Sequence, residues 1–185
     1  MKIILGSGSP RRKELLSGLG IDYEVRLIKG IEESYPDTLQ GEEIPIYLSE
    51  QKSDAYTLND DELLITADTI VWLDGKVYGK PQNSNDAIDM LHQLSGNMHQ
   101  VITGVCVRTN YKKVSFATTT DVKFAHLTVE EIEYYVNRYS PLDKAGSYGI
   151  QEWIGYIGVE EIHGSYFNVM GLPIQRLYTT LKDFL

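Results

Sequence analysis

The chain opens on an apolar run, Ile3-Ile4-Leu5, which passes through Gly6-Ser7-Gly8-Ser9-Pro10 into a helical pattern with Leu15, Leu16 and Leu19 on one stripe. This predicts a strand over 2–6 and a helix with Ser9 as N-cap, Pro10 as first residue and Gly20 as left-handed stop. Residues 22–28 alternate as a strand, an acidic loop spans 30–43, and a second helix is expected from about 46 to 56. In "LLITADTIVWLDGKVYGKP" (63–81), Asp74-Gly75 stands between two β-rich runs. A type I′ turn needs positive φ at both central residues, so this dipeptide predicts a hairpin. Further on, the pattern predicts a helix over 85–94 stopped at Gly96, and two long strands, 99–109 and 113–124, paired across Asn110. Thr128 and Glu131 form a capping box for a helix ending near Tyr139. Two short strands are expected near 153–162 and a last helix from Pro173. Strands and helices in irregular order predict an α/β fold, a mixed sheet flanked by helices, rather than a strict βαβ repeat.

The length, 185 residues, suits one core, or one core with a cleft between two lobes. With no repeat, low-complexity tract or long linker, a single domain over 1–185 is expected. No apolar run approaches a membrane span and the opening residues are too short for a signal peptide, so a cytoplasmic location is expected. The single cysteine, Cys106 between Val105 and Val107, rules out an intramolecular disulfide and reads as a small core hydrophobe. A net charge of −9 argues against a general nucleic-acid binder, which needs a basic face. An acidic protein that binds a polyanion must gather its few cations locally or recruit a metal ion.

Those cations gather first at Arg11 and Arg12. The frame Gly6, Gly8, Arg11 fails the dinucleotide fingerprint, and the P-loop pattern fails as well. Gly6 to Ser9 still allow backbone amides to face an anion at a helix start. Two arginines in a first turn oppose the helix dipole, at roughly 0.3–1 kcal/mol each. A bound polyphosphate would reverse that sign; solvated surface charge is the alternative. Asp68-Thr69 in "ITADTIV" places a carboxylate inside an apolar β pattern, which is costly unless it is paired or ligates a metal. It reads as a general base or a metal ligand, or else as a strand-end carboxylate in solvent. Lys80-Pro81 closes the same hairpin, which would bring the Lys80 ammonium back near that carboxylate; a lone surface lysine is the alternative. Glu32-Glu33 and Glu42-Glu43 are solvating charge or a source of oxygens for Mg²⁺ or Mn²⁺. In "DKAGSYGIQ" (143–151), the Gln151 amide either reads a base edge or braces a turn. Asn168 is expected to tie backbone, and His92, His99, His126 and His163, which lack metal-ligand spacing, are expected to be structural.

Taken in order and spacing, "SGSPRRKELL", "ADTIV" with "GKP", "LSGNMHQVITGV" (94–105), "DKAGSYGIQ" and "GSYFNVMGLP" resemble the Maf-like nucleoside triphosphate pyrophosphatases over nearly the whole chain, and most of all the subgroup acting on dTTP and UTP. The resemblance implies hydrolysis between the α- and β-phosphates with a divalent cation, Mg²⁺ or Mn²⁺. It implies a Maf/ITPase-like α/β fold, a long mixed β-sheet with two lobes around a deep cleft, assembled as a homodimer. By position Asp68 matches the family's general base. Arg11, Thr69 and Gln151 match positions tied to nucleotide choice, and Ser7, Arg12, Glu33, Lys52 and Lys80 match other polar groups of the cleft. Arg12, Lys52 and Lys80 would hold the triphosphate with Ser9 beside them, and Glu33 and Asp68 would meet the metal. Two departures stand out: Glu152-Trp153 where many members have glycine after the glutamine, and Arg138-Tyr139-Ser140 in place of a common Gly-Glu before the proline. With no Ser-His-Asp or Cys-His pairing, direct attack by water is expected. The rival readings are 7-methyl-GTP hydrolysis, a non-catalytic nucleotide-binding regulator of cell division, and a phosphatase releasing the diphosphate.

Overall fold

The computed structural model describes residues 1–185. Its strands are β1 (Lys2–Leu5), β2 (Tyr23–Val25), β3 (Glu62–Leu73), β4 (Lys76–Tyr78), β5 (Met98–Arg108), β6 (Lys113–Phe124) and β7 (Val159–His163). The helices are α1 (Pro10–Ser17), α2 (Glu43–Asp54), α3 (Ser84–Leu94), α4 (Val129–Tyr139), α5 (Trp153–Gly158), α6 (Tyr166–Met170) and α7 (Ile174–Leu181). The strands form one seven-stranded sheet in the order β2-β1-β3-β5-β6-β7, with β4 on β3. β1 runs parallel to both β2 and β3, whereas β3–β4 and β6–β7 are antiparallel. The predicted mixed α/β architecture is therefore present. No helix is long and apolar enough to cross a membrane.

The chain divides into two compact units: Met1–Thr69 with Thr103–Thr118 and Gly171–Leu185, and Ile70–Ile102 with Thr119–Met170. In the first unit Ile4, Leu5, Leu16, Ile44, Leu64 and Ile65 are fully or almost fully buried. In the second, Leu91, Leu94, Phe124, Ile132, Tyr135 and Val136 play that part.

Local chemistry explains most boundaries. Ser9 caps α1 and Pro10 opens it, where the absent N–H costs nothing. The helix gives way to tight turns after Ser17, and Gly20 (φ +66°) is the left-handed exit. Asp74 (φ +50°) and Gly75 (φ +76°) make the expected hairpin turn. Both halves of the Thr128–Glu131 capping box are formed. α2 begins at Glu43, earlier than the sequence suggests, because Pro45 is tolerated within a first turn. β2 stops at Val25, and Leu27 and Ile28 lie exposed. The clearest correction concerns residues 153–162. The first of the two expected strands is helix α5, in which Ile154 and Gly158, four residues apart, are buried while Tyr156 and Ile157 face outward. That spacing is a helical period, which the aromatic and β-branched content had masked.

Two contacts fix the first unit. On β5, a Cβ at Gly104 would run into the Pro45 carbonyl and the Ile46 amide, so α2 lies directly on strand backbone. Gly104→Ala should destabilise by about 3 kcal/mol, the upper range for overpacking, read as a lowered urea midpoint. Arg26 donates to both oxygens of Glu62, at 3.1 and 2.7 Å, and the Asn59 amide donates at 2.9 Å. The Arg26 fork, then the Asn59 amide, hold the Glu62 carboxyl down at about 2. Since its folded value lies below the ordinary 4.5, its stabilisation is complete above that pH and is lost as pH falls towards 2. Glu62→Gln should flatten the decline in Tm across this acid window.

Candidate active site

The loop from Gly6 to Ser9 carries β1 into α1. Ser7 Oγ accepts from the Ser9 amide (3.3 Å) and Ser9 Oγ accepts from the Arg12 amide (3.4 Å), so both hydroxyls shape the helix entrance. No acidic side chain offsets the arginines in this first turn. The compensation comes from elsewhere in the chain. Arg12 Nε donates to Gly171 O (2.8 Å), Nη1 donates to Ala67 O (2.9 Å) and Ser7 Oγ (3.4 Å), and Nη2 donates to Thr69 Oγ1 (3.1 Å). Protein oxygens thus supply much of the negative potential that sequence reasoning looked for in a bound phosphate. Burial lowers the Arg12 pKa, Asp68 opposes it, Arg11 adds to the lowering and Glu33 opposes it. Guanidinium basicity is high enough for the charge to persist. Arg11, next along the turn, is half-buried.

Asp68, one residue before Thr69 on β3, is 8% exposed. Its Oδ1 lies 2.6 Å from Lys52 Nζ, and the same ammonium lies 3.2 Å from Glu33 Oε1. One lysine from α2 therefore joins a buried strand carboxylate to an exposed loop carboxylate. Lys52 has little freedom to wander. Thr66, two residues before Asp68 and on the same strand face, donates to Ser49 O (2.7 Å), one turn before Lys52. Arg108 donates to Ser53 O and Tyr56 O, both at 2.8 Å, closing the C-terminal end of α2. Gln51 Nε2 donates to Ser34 O (3.2 Å), holding the acidic loop beside Glu33. Thr69 Oγ1 lies 2.9 Å from Thr103 Oγ1. Thr66, Ser49, Gln51, Thr103 and Arg108 escaped the sequence reading. Only Thr66 carried a signal, its period-2 spacing from Asp68.

Ser7, Ser9, Arg12 and Thr69 thus share one hydrogen-bonded set, and Glu33, Lys52 and Asp68 share an ion-pair set, all in the first unit. Lys80 and Gln151 belong to the second. Lys80 is exposed after β4, next to Gly79, whose carbonyl accepts from the Gly146 amide (3.1 Å). Gln151 is half-buried in the turn before α5, and its Oε1 is buried without a hydrogen-bond partner. An orphaned buried acceptor is costly in a folded protein. Asn168 ties backbone as expected, donating to Val101 O (3.1 Å) and Thr120 Oγ1 (2.9 Å). His99 is buried edge-on against Phe124 and Tyr148, and burial pushes its pKa down to about 4, so it is a neutral core group.

No group of three or more His, Cys, Asp or Glu side chains is arranged to hold a metal. Asp68 and Glu33 form a pair of hard oxygen donors on one ammonium. Mg²⁺ is commonly held by one or two carboxylates with substrate phosphates completing its shell, so this donor set fits an ion that arrives with a polyphosphate.

A model of the family described as Maf-like protein matches residues 2–184. The chain is 67% identical over 183 residues to a dTTP/UTP pyrophosphatase of Phocaeicola vulgatus, covering 98% of this chain and 95% of that protein. It is 54% identical over 187 residues to the protein of the same name from Porphyromonas gingivalis, covering 99% and 94%. Among solved structures, the Staphylococcus aureus Ham1 protein superposes with a TM-score of 0.57 at 19% identity, covering 100% of both chains, a likeness of fold.

The Arg12 clasp makes its own prediction. Arg12→Met removes the guanidinium donor from the Ala67 carbonyl and leaves the Gly171 carbonyl with the longer Thr69 Oγ1 bond at 3.4 Å, and each lost hydrogen bond from a charged group costs about 1.5–3 kcal/mol. Urea denaturation should show a clear loss of stability as a lowered midpoint.

Proposed function

This chain is a member of the Maf-like protein family, and we propose that it hydrolyses dTTP and UTP to the nucleoside monophosphate and pyrophosphate. The observation that carries this reading is the buried Asp68 carboxylate paired to Lys52, which also holds Glu33. In this reading Asp68 orients the attacking water and takes its proton as the α–β anhydride bond breaks. Lys52, Arg12 and Lys80 bear the negative charge of the triphosphate, with Ser7, Ser9, Arg11 and Thr69 around it. Asp68 and Glu33 meet the divalent cation, which when bound neutralises charge on the departing pyrophosphate. Positioning and electrostatics then carry most of the rate. The protein is proposed to act as a single Maf-like domain, as a homodimer in the cytoplasm.

Support for a pyrimidine base comes from Gln151, whose Oε1 is buried and unpaired. Uracil and thymine present a carbonyl–imide–carbonyl edge, and the imide N–H is a donor for that oxygen. A purine is larger than either pyrimidine and would clash there or leave the amide unpaired, at about 1–3 kcal/mol for a buried polar group.

Incubation of the folded protein with UTP and Mg²⁺ should yield UMP and pyrophosphate. Intact UTP would mark a sensor, and UDP with inorganic phosphate would mark a phosphatase; either overturns the reading. Asp68→Asn should lower kcat by about 10²–10⁴, the scale for loss of a positioned base. In a panel of triphosphates, kcat/KM should favour UTP and dTTP, and comparable values for GTP or 7-methyl-GTP would defeat the pyrimidine assignment.

A further inference from the structure

Gln151 stands in a tight turn of the second unit, in which the Glu152 amide donates to Gly149 O (3.0 Å). The turn is tied from outside by one phenol. Tyr135, wholly buried on α4, accepts from the Gly149 amide (3.0 Å) and donates to Glu152 Oε1 (3.2 Å). Its hydroxyl thus touches the residues at both ends of the four-residue segment that carries Gln151. Burial raises the Tyr135 pKa above the ordinary phenol value, so the proton that reaches Glu152 stays in place. Lys144 Nζ lies 3.2 Å from the same Glu152 oxygen and 2.9 Å from Asp143 Oδ1. The Glu152–Lys144 pair covers Gly149 so closely that a Cβ there would collide with the carboxylate.

Two aromatic contacts lock this arrangement from α4. Tyr139 stacks on Tyr135, with ring centroids 5.2 Å apart and 26° between planes. Trp153, next to Glu152, meets Tyr134 edge-to-face at 4.8 Å. Both contacts converge on α4, at Tyr134 and Tyr135.

We propose that Tyr135, Glu152 and Lys144 form a positioning brace that fixes the Gln151 carboxamide and thereby sets discrimination between uracil and cytosine nucleotides. The proposal rests on Gln151 as the base reader. The chemistry demands such a brace, because the two pyrimidines differ only in polarity along one edge. Uracil offers an N–H at ring position 3, where cytosine offers a lone pair, and cytosine places an amino group one position further along. An oxygen held at the imide accepts from uracil and repels cytosine. A carboxamide free to shift or flip pairs with either base. None of the three bracing residues needs to touch the nucleotide.

The test compares kcat/KM for UTP and CTP in Gln151→Ala, Tyr135→Phe and Glu152→Gln, each checked for folding by circular dichroism and Tm. Gln151→Ala should collapse the UTP:CTP ratio. Tyr135→Phe and Glu152→Gln should each lower it roughly tenfold, the effect of one misplaced hydrogen bond. That loss should appear in KM for UTP, with kcat within about threefold of the parent protein. A merely structural role would lower activity on UTP and CTP alike and leave the ratio intact. If Gln151→Ala shifts the ratio while both other variants preserve it, the brace is refuted and the base reader stands. If Gln151→Ala preserves the ratio, the reader fails and the brace fails with it. Should Tyr135→Phe not fold, Glu152→Gln alone decides.

Discussion

A carboxylate in the middle of an apolar strand is the constraint around which the first unit is built. Asp68 lies between Ala67, which is 1% exposed, and Thr69, on a strand whose preceding residues from Leu63 to Thr66 are wholly buried. A charge there is tolerated only with a partner at close range. Lys52 supplies it at 2.6 Å from a different element, so the helix carrying Lys52 must be held to the strand. The bare backbone of Gly104 lets α2 approach, the Thr66 hydroxyl fixes its register through Ser49, and Arg108 closes its far end. Each of these is a packing or hydrogen-bond detail on its own; jointly they set one ion-pair distance.

Arg12 answers the same kind of problem with the opposite charge. A guanidinium at the positive end of a helix gains from any oxygen that faces it. Here the oxygens are the Gly171 and Ala67 carbonyls and two hydroxyls, drawn from distant parts of the sequence. The fork stitches the α1 entrance to β3 and to the Gly171 turn. A cation so restrained loses little side-chain entropy when an anion arrives, which is an advantage for holding phosphate.

The second unit uses buried polar groups in a different way. Tyr135 is fully buried, yet its hydroxyl both accepts and donates, so its burial leaves nothing unmatched. Gln151, one residue from Glu152, retains an acceptor with nothing to accept from. A saturated network thus lies directly beside an unsaturated group.

Local signals in the sequence determined much of this protein. Ser9-Pro10, Asp74-Gly75 and the Thr128–Glu131 box act within a turn of themselves, so the elements they bound are legible in the residues alone. Asp68 and the Arg11-Arg12 pair are legible because charge in an apolar frame, or at a helix start, is locally unfavourable and needs a reason. The α5 segment reads wrongly as a strand because a short aromatic and β-branched run does not reveal its period until its partners are known. What only the tertiary structure decided is which oxygens hold Arg12, which lysine meets Asp68, and which phenol holds the Gln151 turn. Those pairings span 16 residues between Lys52 and Asp68, 17 between Tyr135 and Glu152, and 159 between Arg12 and Gly171. Side chains so far apart along the chain are matched by packing, whose geometry no local pattern of residues encodes.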